Sequence, residues 1–308
     1  MVEFNLDGIE PELRAVFPSL KIASPLSIIG SGFNSIVIEA GGALVFRIGK
    51  NSIAQEGYEK EVSCLPIIAP NIPFTVPDPK WYIKSSAYFP FGVIGYDKIP
   101  GLPLNPSALS STNLSSMTSD TAKFLLALHH ISPDFLPLKH PVDPASKWET
   151  QHQKVLPVLK AEFMPAEFRV IKHWWDNFLI DERMQRYNPV LQHGDLWYEN
   201  ILVETGMENL MGIVDWEQLS IGDPAQDFAT LLHLGESFVR RVLQAYQSLG
   251  GELDMNFEYR MQRLWEAREF DGLHHAIRFD DPIELIDALQ KIRHGPILER
   301  SFRETEEK

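Results

Sequence analysis

A chain of 308 residues with 44% hydrophobic and 23% charged side chains can form one large domain or two lobes around a sizeable core. Its 42 acidic and 28 basic residues give a formal charge of −14 at pH 7. This charge disfavours nucleic acids and anionic membranes as partners and attracts cations. The alternative is that the acidic surface only keeps the protein soluble. One cysteine excludes an internal disulfide. Without a run of about 18 apolar residues or a signal-peptide pattern at Met1, we expect a soluble cytoplasmic protein.

The first 50 residues predict a short helix followed by three strands. Residues 7–20 place apolar side chains on one helical face, and residues 27–39 contain two apolar runs around a turn of Gly, Ser and Asn. Such a hairpin can lay backbone N–H groups over phosphates. It lacks the Gly-Lys-Ser/Thr of a Walker loop, and an ordinary hairpin would look the same. Residues 43–48 predict the third strand, which carries Arg47.

The next segment predicts one helix, one connection and two strands. Residues 53–65 predict a helix that carries several glutamates, and the proline-rich residues 66–80 predict an extended connection. Strands are expected at 81–87 and 91–99. The second of them leads into Pro100-Gly101, where we place a boundary between two lobes.

The rest of the chain predicts mainly helices, at 121–131, 148–162, 165–180, 235–250 and 255–279. Ser119 or Asp120 would cap the first of these helices. Trp174, Trp175 and Phe178 follow helical spacing, so we expect them in the core.

An acidic stretch, residues 255–284, accompanies the last of these helices. Its carboxylates would pair with the ammonium groups of a polycationic ligand, on which Trp265 could stack. The alternative is a solvated acidic face without a binding role.

Three side chains suited to binding metal and moving protons lie in one stretch of the chain. Asn200 follows Asp195 by five residues and precedes Asp215 by fifteen. Short apolar runs at Ile201-Leu202-Val203 and Gly212-Ile213-Val214 predict two buried strands of a hairpin. The three side chains are therefore expected at one end of a small sheet.

Phosphoryl transfer is the chemistry that needs this arrangement. One carboxylate positions an acceptor hydroxyl and takes its proton, while an amide oxygen and a second carboxylate hold Mg²⁺ against nucleotide phosphates. Hard oxygen ligands suit Mg²⁺, which needs only one or two carboxylates from the protein.

This stretch resembles the aminoglycoside phosphotransferase family of small-molecule kinases, whose relatives include macrolide, choline and homoserine kinases. The resemblance is carried by His193-Gly194-Asp195 with Asn200, by Ile213-Val214-Asp215-Trp216, and by Gly222-Asp223-Pro224-Ala225-Gln226-Asp227-Phe228-Ala229. Protein kinases differ, since they usually carry Arg in place of Gly194 and Phe in place of Trp216. The resemblance covers residues 25–280.

The resemblance implies a role for each candidate residue. Asp195 would position and deprotonate the acceptor hydroxyl, and Asn200 and Asp215 would hold Mg²⁺. Arg47, where many members carry Lys, would hold the phosphates, and Glu61 would pair with it. Other nucleotide-binding residues are expected in the glycine hairpin and the interlobe hinge: Ser31, Gly32, Phe33, Asn34, Tyr96, Asp97 and Ile99.

Some of these assignments have an alternative. Arg47 would otherwise be a surface charge, and Lys50 competes with it for the phosphates. His193 is expected to order the loop through hydrogen bonds rather than act as a base. Asp227 would brace the catalytic loop, a role compatible with capping a helix.

The resemblance implies an α+β, two-lobed protein-kinase-like fold. Residues 1–100 would form a nucleotide-binding lobe with an antiparallel sheet and one helix, and residues 101–308 a mostly helical catalytic and acceptor-binding lobe. The expected activity is Mg²⁺-dependent transfer of the γ-phosphoryl group of ATP or GTP to a hydroxyl of a cationic small molecule, first of all an aminoglycoside. A macrolide, amino alcohol or sugar would use the same machinery. The alternative hypotheses for the function are a nucleotide-binding pseudokinase and a metal-dependent phosphoesterase.

Overall fold

A computed structural model of the chain describes residues 6–23, 25–139, 144–206 and 209–299. The fold is α+β, as expected. The chain divides into two compact units. The first comprises Met1–Lys139, Val190–Ile221 and Thr230–Gly251, and the second comprises His140–Pro189, Gly222–Ala229 and Glu252–Lys308. The lobe boundary near residue 100 stays a prediction.

The first unit begins with a helix and a five-stranded antiparallel sheet. The helix is α1 (Leu6–Val16), and the strands are β1 (Leu26–Ser31), β2 (Ser35–Ala40), β3 (Leu44–Gly49), β4 (Trp81–Ile83) and β5 (Val93–Asp97). Their order is β1-β2-β3-β5-β4. Ile9 and Leu13 of α1 pack with Phe46 and Ile48 in one buried cluster, which anchors β3 and therefore the backbone of Arg47.

Helix α2 (Ser52–Ile68) follows β3 directly. Asn51 caps it, since its side chain accepts hydrogen bonds from the backbone N–H groups of Ile53 and Ala54. The extended connection predicted to begin at Pro66 was wrong at its start, because α2 includes that proline and a 3₁₀ turn continues to Asn71. Proline lacks an N–H donor, but the helical bonding continues beyond it, since Ala69 N–H donates to the carbonyl of Leu65.

Helix α3 (Leu114–His129) begins earlier than the predicted start at residue 121, so neither Ser119 nor Asp120 is its cap. The threonine hydroxyls of this helix bond to carbonyls one turn earlier. Thr118 donates to the carbonyl of Leu114 at 2.8 Å and Thr121 to that of Met117 at 2.8 Å, which satisfies these side chains inside the helix.

Two small sheets complete the framework for the motifs. Strands β6 (Leu102–Pro103), β8 (Ile201–Val203) and β9 (Leu210–Ile213) pair in the order β6-β8-β9, and β7 (Val190–Gln192) pairs with β10 (Ser220–Gly222). The predicted hairpin therefore exists as β8 and β9, with Ile201 opposite Ile213. Helix α7 (Glu236–Ser248) packs on α3.

The second unit is helical. Its helices are α4 (Pro144–Glu162), α5 (Pro165–Ile180), α8 (Phe257–Ala267), α9 (Glu269–Phe279) and α10 (Pro282–Arg293), and α6 (Ala225–Thr230) lies between β10 and α7 in the chain. The single helix predicted over 255–279 was wrong: it is two helices that meet at Arg268. Asp271 N–H donates to the carbonyl of Arg268, an i→i+3 bond that interrupts the α-helical pattern.

Aromatic side chains fill the core of the second unit. Trp174, Trp175 and Phe178 are buried, as predicted, and Phe270 joins them. Trp174 stacks on Phe178 with ring centroids 4.8 Å apart. Across the residues that the structure describes, every helix is too short or too polar to cross a bilayer.

Candidate active site

The loop between β7 and β8 brings Asp195 and Asn200 together. The Asn200 side-chain nitrogen donates to the Asp195 carbonyl at 2.9 Å and approaches its carboxylate at 3.5 Å. The nitrogen is thus used within the loop, and the amide oxygen of Asn200 is the side-chain atom with the chemistry of a metal ligand. The predicted pair of catalytic and metal-binding side chains is therefore adjacent in space.

His193 ties this loop to the segment around Asp215. Its ring is buried, donates from Nε2 to the Val214 carbonyl at 3.1 Å, and accepts from the backbone N–H of Asp195 at 3.3 Å. The ring also packs against Trp216, with centroids 4.7 Å apart. These contacts are those of a residue that orders the loop, as expected from the sequence.

Gly194 shows why this position cannot carry the arginine of protein kinases without a rearrangement. Its φ is +84°, a left-handed conformation that favours glycine. A Cβ there would lie 2.7 Å from the Gln218 carbonyl oxygen.

Asp215 lies two residues after the end of β9 with φ +64°, an uncommon conformation for a residue with a side chain and one that clusters at functional sites. The neighbouring Val214 N–H donates to the Asn200 carbonyl at 2.9 Å. This bond places Asp215 beside the Asp195–Asn200 pair, at one end of the β8–β9 hairpin. The Asp215 side chain is 37% exposed, so it can reach a ligand.

Arg47 is the centre of a buried charge cluster. It pairs with Glu61 of α2 at 2.5 Å, with Asp215 at 2.6 Å and with Glu217 at 3.0 Å. The Arg47–Glu61 pair is the one the resemblance implied, and Arg47 is 2% exposed, not a surface charge. The pairs to Asp215 and Glu217 join β3 to the loop of residues 214–219, which we call the aspartate loop.

The electrostatics of this cluster favour an additional cation. Burial opposes the charge of Arg47, but Asp215 and Glu61 together raise its pKa well above the ordinary value. Burial raises the pKa of Glu61 to about 7, against the opposing effect of Arg47. Burial and then the charge of Asp215 raise the pKa of Glu217. Three carboxylates thus share one arginine.

The turn of the glycine hairpin, residues 31–34, forms what we call the nucleotide loop. Asn34 is buried and donates to Glu217 at 2.7 Å, whereas Phe33 is half exposed. Lys50 donates to Ser31 Oγ at 2.8 Å and to the Gly32 carbonyl at 2.6 Å. Lys50 therefore contacts the loop that would cover phosphates, while Arg47 occupies the interior position.

The predicted hinge residues lie at and after the end of β5. Tyr96 is buried and burial raises the pKa of its hydroxyl, while the exposed Asp97 carboxylate pairs with Lys80. Ile99 is buried. Nucleotide binding by these residues stays a prediction.

Residues 26–270 match the sequence model of the phosphotransferase enzyme family known as APH. The chain belongs to this family. Among curated proteins, the viomycin phosphotransferase of Streptomyces vinaceus is 27% identical over 201 residues, which cover 64% of this chain and 68% of that protein. The resemblance inferred from the motifs is thereby confirmed.

Solved structures share the fold. The GDP and kanamycin complex of APH(2")-IIia has a TM-score of 0.82 at 20% identity, with 93% of this chain and 97% of that chain covered. The macrolide 2'-phosphotransferase MphH from Brachybacterium faecium, solved as the apoenzyme, has a TM-score of 0.69 at 23% identity, with 92% and 97% covered. At these identities the matches support the kinase-like fold and no more.

Sequence reasoning missed a group of residues that surround the charge cluster of this phosphotransferase. Glu217 is the foremost, and its signal was its place two residues after Asp215 in the same motif. Asn51 could have been found as a helix cap before an apolar-periodic segment. Lys60, which donates to the carbonyls of Glu217 and Leu219, could not have been found from the sequence. Its sequence pattern is the same as that of a lysine on the exposed face of a helix.

The acidic stretch 255–284 of the phosphotransferase is used largely within its own unit. Glu266 is buried, pairs with Arg263 at 2.7 Å and accepts from Trp174 Nε1 at 2.8 Å. Asp281 caps α10. These carboxylates already have partners, so the structure does not single out this stretch as an acceptor site.

A cavity of about 500 Å³ lies away from the charge cluster, lined by residues 72–75, Asp120 and residues 209–211. Its one charged lining residue, Asp120, is paired with Lys123 and accepts from Leu210 N–H. None of the predicted site residues lines it, and we assign it no role in phosphotransfer.

Proposed function

We propose that this phosphotransferase moves the γ-phosphoryl group of ATP or GTP to a hydroxyl of a small molecule, with Mg²⁺ as cofactor. The observation that carries the proposal is the junction at Asn200. Its side chain donates to Asp195, and its carbonyl accepts from Val214, the residue before Asp215. These two bonds support the proposal, because they bring the backbone of the three residues that phosphoryl transfer would need to one place.

Asp195 would act on the acceptor hydroxyl. Its backbone is held by His193 and Asn200, and its carboxylate lies 3.5 Å from Asn200 Nδ2, which would favour one orientation before the acceptor arrives. It would orient the hydroxyl and take its proton as the new P–O bond forms. Because the transition state is loose, orientation contributes more than basicity.

Arg47 would bind the nucleotide phosphates. Its guanidinium can donate two parallel N–H bonds to phosphate oxygens, a geometry that lysine cannot offer. Glu61 holds one side of the guanidinium, at Nη1. Phosphates would compete with Asp215 and Glu217 for Nη2.

The residues present fit Mg²⁺. Asn200 and Asp215 offer hard oxygen ligands, and the excess of carboxylates around Arg47 favours a divalent cation. Within the described ranges, no three His, Cys, Asp or Glu side chains are grouped to hold an ion by themselves. Mg²⁺ in kinase sites commonly completes its shell with phosphates and waters. When bound, it neutralises the charge that develops on the phosphates.

We propose an aminoglycoside as the first acceptor to test and viomycin as the second. The formal charge of −14 favours cationic acceptors. The two most relevant comparisons are a viomycin phosphotransferase and a structure solved with kanamycin. Sequence and fold identify the reaction class better than the acceptor.

The test is coupled nucleotide turnover with Mg²⁺ and either ATP or GTP, against aminoglycosides, viomycin, macrolides and amino alcohols. We expect consumption that depends on one acceptor class, stops on chelation by EDTA and resumes with added Mg²⁺. Equal consumption without any acceptor would overturn the proposal in favour of a phosphoesterase. Nucleotide binding without turnover on any acceptor would overturn it in favour of a pseudokinase.

A further inference from the structure

Glu217 has no role in the reaction described so far, yet both of its carboxylate oxygens are engaged by other elements. We propose that Glu217 is a positioning residue that couples the nucleotide loop to the aspartate loop, through Asn34 on one side and Arg47 on the other. This inference rests on the proposed function, because the two loops would hold the phosphates and the metal of one nucleotide.

Each oxygen of Glu217 has its own donor. Asn34 Nδ2 donates to Oε1 at 2.7 Å, and Arg47 Nη2 donates to Oε2 at 3.0 Å. The side chain is only 11% exposed, so water competes weakly for these bonds. Hydrogen bonds to a charged acceptor are stronger than those between neutral groups. Glu217 thus bonds at once to the nucleotide loop and to β3.

Asn34 carries the connection onward to α2. Its Oδ1 accepts from Asn51 Nδ2 at 3.0 Å, and Asn51 is the cap of that helix. The backbone of Asn34 is held as well, since its carbonyl accepts from Lys50 N–H at 2.7 Å. A continuous chain of bonds therefore runs from the aspartate loop to the start of α2.

The backbone of Glu217 is fixed independently of its side chain. Lys60 of α2 donates to its carbonyl and, at 3.2 Å, to the carbonyl of Leu219. Helix α2 also passes unusually close at Gly57, where a Cβ would lie 2.7 Å from the Cβ of Glu217. The Glu217 side chain can therefore hold the nucleotide loop in place, because the backbone from which it extends is itself held by α2.

The test uses Glu217→Gln, Asn34→Ala and the double variant of the full chain. Glutamine keeps the size of the side chain but replaces one carboxylate oxygen by an NH2 donor, so in this geometry either Asn34 or Arg47 loses its acceptor. Glu59→Gln is the matched control, because Glu59 lies on α2 and its exposed carboxylate pairs only with Lys84 among the ion pairs of the described residues. Melting temperatures establish that each variant is folded.

The first readout is amide hydrogen exchange of residues 30–35 without nucleotide. We expect exchange to be faster by roughly tenfold in each single variant, and clearly less than additive in the double variant, since both changes break the bond between Asn34 and Glu217. The control should match the wild type. Unchanged exchange in Glu217→Gln, or additive effects in the double variant, would overturn the proposal. If Glu217→Gln fails to fold, Asn34→Ala alone must show the faster exchange, and its absence overturns the coupling.

The second readout is the nucleotide dissociation constant with and without Mg²⁺. Coupling predicts weakening by roughly tenfold in both conditions, again without additivity between the two substitutions. Weakening confined to the Mg²⁺ condition would overturn the proposal and make Glu217 a metal ligand. A wild type that binds nucleotide but transfers no phosphate would defeat the proposed function alone, because neither readout involves an acceptor.

Discussion

Two buried arginines, Arg47 in the first unit and Arg260 in the second, bind carboxylates in different ways. Arg260 donates from Nε, Nη1 and Nη2, to Asp223 and Asp254 and to the carbonyl of Arg186. Arg47 faces three carboxylates, yet within the described residues its Nε and the Oε2 of Glu61 are buried without a hydrogen-bond partner. The hydrogen bonds of Arg260 are thus more complete than those of Arg47, and the Arg47 cluster meets solvent at the Asp215 carboxylate, which is 37% exposed.

The difference predicts that the region around Arg47 can lose function without losing stability, most sharply at Asp195. We expect Asp195→Asn to lower kcat by about a thousandfold, because it removes the group that takes the proton while keeping the loop bonds. Nucleotide affinity and melting temperature should stay at the wild-type values. Steady-state turnover and calorimetric nucleotide titration check this, and a kcat within tenfold of the wild type would remove Asp195 from the chemistry.

Arg260 should behave in the opposite way. Arg260→Met leaves Asp223 buried without its cation and should lower the free energy of unfolding by about 3 kcal/mol. Turnover per folded molecule should not change. Urea denaturation followed in parallel with activity measures both quantities. Lost turnover at an unchanged folded fraction would break the comparison, since Arg260 would then serve the reaction.

Arg47→Met should affect binding more than folding. We expect nucleotide affinity to fall by about thirtyfold, because a charge-assisted contact to phosphate is lost. The free energy of unfolding should fall less than in Arg260→Met, because Asp215 reaches water and Glu61 can take up a proton. The measurements are nucleotide titration and urea denaturation near pH 6. A larger loss of stability than in Arg260→Met would reverse the roles that we assign.

Glu61 in the Arg47 cluster and Asp254 in the Arg260 cluster should respond to pH with opposite signs, whereas burial raises the pKa of Asp223 as it does that of Glu61. Burial raises the pKa of Glu61 to about 7, so the folded protein binds this proton more tightly than the unfolded chain does. The resulting gain in the free energy of unfolding is fully present below the ordinary pKa of Glu61 and is lost as pH rises towards 7. Between pH 5 and pH 8 this loss amounts to about 2 kcal/mol. Hydrogen bonds from Arg260 lower the pKa of Asp254, so its contribution is lost as pH falls below about 4.

Denaturation curves across pH test this for the wild type, Glu61→Gln and Asp254→Asn. Glu61→Gln should lose the decline between pH 5 and pH 8, because glutamine does not titrate. Asp254→Asn should lose only part of the decline in acid. Superimposable curves for the wild type and Glu61→Gln would show that Glu61 keeps one protonation state throughout this range.

Much of the fold could be predicted because its signals are local. The hairpin at β8 and β9 and the burial of Trp174 follow from apolar periodicity over a few residues. The start of α3 at Leu114 could not be predicted, because serine and threonine usually indicate a cap or a turn. The break at Arg268 also escaped, since it changes the bonding pattern without a glycine or proline at that residue.

The candidate site divides in the same way. Asp195, Asn200 and Asp215 could be predicted to lie together because they flank one short hairpin. The position of Glu217 between Asn34 and Arg47 depends on contacts across more than 160 residues of chain, which spacing alone does not encode. Motifs therefore indicate candidate reacting groups more readily than the residues that hold them in place.

The sequence separations around Arg47 have a consequence for how the protein is made. Glu61 lies 14 residues from Arg47, whereas Asp215 lies 168 residues away, so closing the longer loop costs about 2 kcal/mol more chain entropy. On the ribosome, the nucleotide sheet and its first ion pair emerge long before the aspartate loop exists. A nascent chain that ends before Asp215 would contain the nucleotide loop but not the aspartate loop. The charge cluster would therefore be completed only late in synthesis.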